Sequence, residues 1–81
     1  MTTTTTATIY ERTNMYGETV YTFDPGSDGC NDVAGTIDLS TNCEVYRTEI
    51  GETVCVQHGD EGDWQVVPVR TGDGWDLAPI C

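Results

Sequence analysis

The feature that most limits how this chain can fold is the frequency of its turn residues. From Asn14 onward Gly, Pro, Asp or Asn interrupts it every few positions, and no segment of ten residues carries an apolar stripe at the 3.6-residue spacing of a helix. Between the interruptions lie short runs of β-branched and aromatic residues, which suit a pleated surface better than a helix. These runs predict strands at Thr6 to Glu11, Glu18 to Phe23, Gly35 to Leu39, Asn42 to Arg47, Thr53 to His58 and Trp64 to Val69. A last short strand is expected around Trp75 to Ile80, confined to a sheet edge by Pro79. The fold class is therefore all-β, an antiparallel sandwich or barrel.

A chain of 81 residues forms one domain. Domains of this size bury only about 60–65% of their unfolded surface, so covalent or metal staples are expected. Residues 1–6 read as a flexible threonine-rich N-terminus and residues 7–81 as the single domain. The four cysteines, an even number in a small loop-rich chain, point to two disulfides and an oxidising compartment. Cys43 and Cys55 lie on neighbouring strands of a hairpin turning near Ile50, almost opposite each other, which leaves Cys30 to bond with Cys81. The alternative is zinc, since Cys55 and His58 have Cys-x-x-His spacing, but no second short-spaced pair accompanies them. Met1 is followed by threonines rather than by a basic segment and an apolar core, so the N-terminus does not itself indicate secretion; the cysteines favour a secreted, extracellular protein whose leader has been removed, the alternative being synthesis in the cytoplasm.

Fourteen acidic residues against three arginines and no lysine give a formal net charge of −11. Such a chain is repelled by duplex nucleic acid and by anionic membranes. No apolar run approaches the ~20 residues of a membrane-spanning helix. What the charge leaves open is a divalent cation or a basic protein partner.

One tetrapeptide, Gly-Glu-Thr-Val, occurs twice, at residues 17–20 and 51–54. Each copy follows an apolar residue and a tyrosine, Ile9-Tyr10 and Val45-Tyr46, and each leads to a Gly/Asp-rich loop, at 24–29 and 58–63. Agreement in order, spacing and chemistry points to a duplicated β-unit. Gly17 and Gly51 are expected where the backbone needs φ > 0 or no Cβ, with the rings of Tyr10 and Tyr46 laid over them.

The stretch "IYERTNMYGETVYTF" resembles the opening of a βγ-crystallin Greek key, and "NDVAGTI" at 31–37 resembles that family's calcium motif. The resemblance implies two Greek-key motifs forming a βγ-crystallin-like sandwich, here stapled by disulfides, with calcium bound between their loops. Carried onto this chain, it makes Asp32 a carboxylate ligand and Val33 a carbonyl ligand, with Asn31 holding the loop. Gly35 stands where the motif has a hydroxyl ligand, and Thr36 keeps the next position. A second loop, "GDGWDL" at 72–77, would supply Asp73 and Asp76 around Trp75. Small microbial relatives of this kind include antifungal, killer-toxin-like and protease-inhibiting proteins.

No nucleophile has a recognisable catalytic context: Ser27 and Ser40 lie in loops, and His58 stands beside Gly59 and Asp60 without a partner hydroxyl. The reading is a non-enzymatic, monomeric acidic protein that binds calcium weakly in a structural or stress role. The alternatives are a secreted inhibitor or antimicrobial protein, and an acidic interaction or particle-decoration module.

Overall fold

The computed structural model describes residues 5–80. Within them lie seven strands: β1 (Thr5–Thr13), β2 (Thr19–Thr22), β3 (Asp32–Leu39), β4 (Cys43–Arg47), β5 (Thr53–Gly59), β6 (Gly62–Thr71) and β7 (Gly74–Pro79). One short 3-10 turn, Ser27–Gly29, is the sole helical element among the described residues. All pairings are antiparallel, in a three-stranded sheet of order β2-β1-β3 and a four-stranded sheet of order β4-β5-β6-β7. The all-β expectation holds.

The core forms where strand alternation turns one side of each sheet inward. Ala7 and Ile9 come from β1 and Leu39 from β3, Phe23 follows β2, and Cys55 and Val66 come from β5 and β6; all are under a tenth exposed. Tyr21, Ile37, Val45, Trp75 and Leu77 pack around them. Burying each large aliphatic side chain here contributes roughly 1.5–3 kcal/mol. The Tyr21 and Trp75 rings meet edge to face, with centroids 4.9 Å apart.

The repeated tetrapeptide marks a duplicated hairpin turn. In the first copy Asn14 N–H donates to the Glu18 carbonyl and Gly17 N–H to the Asn14 carbonyl; in the second, Thr48 N–H donates to Glu52 and Gly51 N–H to Thr48. This is a three-residue hairpin loop, a tight turn followed by a left-handed residue. Gly17 and Gly51 have φ of 79° and 85°, a conformation that side chains resist. The polar residue opening each loop helps close it: the Asn14 side chain accepts from the amides of Tyr16 and Glu18, and the Thr48 hydroxyl from that of Glu52.

Two expectations change with this geometry. Nothing lies within 4 Å of a Cβ built on Gly17, and the nearest group to one on Gly51 is the Arg47 guanidinium, so neither tyrosine ring covers its glycine. Tyr10 and Tyr46 instead sit opposite Thr22 and Val54 in the ladders. Beyond the turns the two copies also diverge. After β2, Pro25 and the 3-10 turn carry the chain across to pair β3 with the far side of β1, whereas β5 turns through Asp60 and Glu61 straight into β6. Strands β4 to β7 are thus a plain meander, and the unit shared by both halves is a hairpin rather than a whole Greek key.

The N-terminal boundary moves as well. Thr5 and Thr6 belong to β1, opposite Leu39 and Asp38, and the Thr6 hydroxyl donates to Asp38 Oδ1 at 2.9 Å. Residues 1–4 of the expected flexible segment, and Cys81, lie outside the described residues.

Candidate functional site

The motif "NDVAGTI" does not form a loop. From Asp32 onward it is strand β3, with Asp32 opposite Glu11 and Val33, 65% exposed, opposite Tyr10; Ala34 is the extra residue of a bulge. Gly35 has a packing reason: a Cβ there would stand 2.7 Å from Trp75 Nε1. The ring occupies the volume that a hydroxyl ligand would need. Asp73 lies in the two-residue turn between β6 and β7, while Asp76 sits on β7 opposite Val69 and accepts from the Leu77 amide at 2.8 Å. Among the described residues no three His, Cys, Asp or Glu side chains gather closely enough to hold a metal ion. Asp32, Val33, Asp73 and Asp76 therefore occupy a strand start, a strand, a turn tip and a second strand.

Cys30, Cys43 and Cys55 are free thiols. The register explains why the expected Cys43–Cys55 bond is absent: Cys43 stands opposite Gln57 and Cys55 opposite Val45. The two cysteines are diagonal rather than facing, a poorer arrangement for a disulfide than a directly opposed pair. Cys55 is fully buried, and that burial, with Cys43 nearby, pushes its thiol up to about 11. Exposed Cys30 follows the 3-10 turn; Cys81, its expected partner, is outside the described residues.

His58 joins two strands' carboxylates. Its Nδ1 lies 2.9 Å from Asp63 Oδ1 and its Nε2 4.0 Å from Glu44 Oε2, all three side chains being substantially exposed. Both ring nitrogens thus face carboxylates.

The less expected feature is the outward side of the four-stranded sheet. Residues paired across strands share a face and neighbours along a strand alternate. Val45, Cys55 and Val66 are paired in the core, which puts Tyr46, Val54, Val56, Val67, Val69 and Ala78 on the other side. Val54 is 8% exposed, the valines beside it and Ala78 are half-buried, and Tyr46 is 45% exposed. Glu44, His58, Asp63 and Asp76 share this face and surround the strip, and no arginine occupies an outward position on these four strands. Arg12 of β1 reaches a cleft of about 190 Å³ that also touches Val54 and Val67. The sequence carries the signal in its consecutive apolar residues, Val54-Cys55-Val56 and Val66-Val67-Pro68-Val69, the pattern of strands that bury both faces.

Comparison of the chain with protein-family models, with characterised proteins and with solved structures finds no match in any of the three. The resemblance to βγ-crystallins rests on the quoted motif residues alone.

Proposed function

We propose that this protein is a non-catalytic interaction module that docks a basic partner on the outward face of β4 to β7. The observation that carries this reading is the two-faced apolar character of β5 and β6. A solvated antiparallel sheet alternates apolar and polar residues, whereas β6 sets Val66 inward with Val67 and Val69 outward, and β5 sets Cys55 inward with Val54 and Val56 outward. A strip of valines rimmed by Glu44, Asp63 and Asp76 matches a partner with an apolar ridge flanked by lysine or arginine. Self-association through the same face would bring two chains of formal charge −11 together, which their mutual repulsion opposes.

Calcium binding through Asp32, Val33, Asp73 and Asp76 receives no support from this geometry, because calcium needs six to eight converging oxygens. The inhibitor reading draws no support from the two duplicated hairpin tips, at 14–18 and 48–52, which are closed by backbone hydrogen bonds and present no extended segment.

The test is titration of the isotopically labelled protein with a synthetic amphipathic peptide, lysine-rich on one side and leucine-rich on the other. Amide shifts are expected to concentrate at Tyr46, Val54, Val56, Val67 and Val69, to fade at high salt, and to weaken on the order of ten-fold in Val67→Lys. Shifts scattered over the acidic loops, or unchanged affinity in Val67→Lys, would sink the proposal.

A further inference from the structure

A different feature lies along the part of β1 that β2 leaves uncovered. β2 pairs only with Tyr10 to Thr13, so from Thr5 to Ile9 the β1 edge facing away from β3 has no strand partner among the described residues. Beside this edge opens a cleft of about 290 Å³. Its walls include Thr5, Thr6, Ala7 and Thr8, four consecutive residues. Side chains alternate along a strand, so a consecutive run turns its backbone edge, and not one face, to the cleft.

The direction of the backbone groups follows from the hairpin. Asn14 N–H donates across to the Glu18 carbonyl, and Arg12 and Tyr10, each two residues further back, pair with Val20 and Thr22. Alternation continues this series to Thr8 and Thr6, whose N–H and C=O groups point to the same side, where β2 has ended. No turn, loop or side-chain hydrogen bond takes up their amides among the described residues. The cleft is also lined by Tyr10, Phe23, Pro25, Thr53 and Val45 of β4, itself the edge strand of its sheet. The cleft thus combines main-chain donors and acceptors of β1 with the apolar side chains of Phe23, Pro25 and Val45.

We propose that this cleft receives an extended segment of a partner chain, added as a strand beside Thr5 to Ile9. Main-chain hydrogen bonds to Thr6 and Thr8 supply affinity, and alternate small apolar side chains of the incoming strand fill the space between Ala7, Phe23 and Val45. The volume, at the lower end for a ligand pocket, suits valine- or alanine-sized groups rather than a cofactor. Charge selects the occupant. Asp24 and Glu52 adjoin the lining residues Pro25 and Thr53, and Asp38 is bonded to Thr6, against one arginine, Arg47, opposite Thr53. The segment expected is therefore apolar at alternate positions and basic at its ends. A second copy of this chain, pairing edge to edge, would carry its own formal charge of −11 into the contact.

The probe is a short synthetic peptide alternating valine and threonine between terminal lysines, compared with the same peptide N-methylated on the amides of one edge. Expected are slowed exchange and downfield shifts of the Thr6 and Thr8 amides with the first peptide, and affinity weaker by on the order of ten-fold or more with the second. Thr8→Pro removes one outward amide at a position where an edge strand tolerates proline, and is expected to weaken binding similarly while the melting transition is kept. Equal binding of the methylated peptide, shifts mapping to Val56 and Val67 instead, or concentration-dependent dimerisation in place of peptide binding would each overturn the proposal. The N-methylated control requires no variant of the protein, so the test survives a Thr8→Pro chain that fails to fold.

Discussion

At the scale of single residues, glycines and one cysteine set the constraints. Gly35 and Gly59 both lie under tryptophan rings, Trp75 and Trp64 respectively, yet the two sites differ in how far the ring can yield. Trp75 is held by Tyr21 edge to face and by Arg70, whose guanidinium carbon is 5.1 Å from the ring centroid, whereas Trp64 is 39% exposed. Gly35→Ser is expected to destabilise by about 1–3 kcal/mol through overpacking, and Gly59→Ala by clearly less because Trp64 can swing into solvent. Thermal melts followed by tryptophan near-ultraviolet dichroism separate the two. The same Gly35→Ser chain restores the hydroxyl of the calcium motif, and no gain in calcium affinity is expected from it, which calorimetry checks directly. Cys55 gives a pH prediction. Its folded-state thiol titrates near 11 against an ordinary value of 9.0, so the folded protein holds this proton more tightly than the unfolded chain. That contribution is complete below about pH 9 and is lost as pH rises toward 11, a fall on the order of 2 kcal/mol. Denaturant melts of the parent and of Cys55→Ala across that window should converge as pH rises; parallel curves would show that the thiol is not the cause.

At the scale of elements, the duplicated turn sets how the two hairpins begin but not where they lead. Asn14 closes its loop with two side-chain hydrogen bonds and Thr48 with one, so Asn14→Ala is expected to cost about 1 kcal/mol and Thr48→Ala somewhat less. Gly17→Ala and Gly51→Ala should each cost about 1–2 kcal/mol from the left-handed backbone. Urea unfolding of the four variants tests the ranking. The seven strands were legible in the sequence because β-branched runs between turn residues respond to local chemistry, and the ends of most of them fall within two residues of expectation. β3 is the exception: it begins at Asp32 rather than Gly35, because pairing with Glu11 and Tyr10 draws a motif with loop chemistry into the ladder. Sheet order was not legible. Whether a strand after a hairpin pairs with its near or far neighbour depends on a connection such as Pro25 to Asn31, where the Asn31 side chain donates to the Asp24 carbonyl and Asp24 accepts from the Thr53 amide. Those are contacts between distant residues that no local pattern announces. The candidate metal residues failed to converge for the same reason, since motif spacing was read as loop spacing. The valine-rich outward face, by contrast, was written in consecutive apolar residues whose two-sidedness emerges only once a register assigns the faces.

At the scale of the whole molecule, charge dominates. The principal extents are 39 × 33 × 25 Å, and the formal charge of −11 is spread over this volume with little internal compensation. Among the described residues the ion pairs within 4 Å are those of His58 with Glu44 and Asp63, both solvent-exposed; none involves an arginine. At about 0.01 M ionic strength the screening length is ~30 Å, comparable with the molecule, so carboxylates repel one another across its full width. The unfolded chain relieves that repulsion by expanding, which places the burden on the folded state. Raising sodium chloride toward about 0.5 M should therefore raise the melting temperature by several degrees, since 1 kcal/mol corresponds to roughly 4–8 °C in a domain this small. Divalent cations sharpen the test. Screening responds to ionic strength and valence, so calcium and magnesium should give the same rise when matched in concentration. A built calcium site would add stabilisation at low calcium that magnesium fails to reproduce, because magnesium demands a tighter octahedral shell. Coincident calcium and magnesium curves are the expected result. A calcium-specific rise, lost in Asp32→Asn or Asp76→Asn, would overturn it and return function to the strand start and the β7 carboxylate.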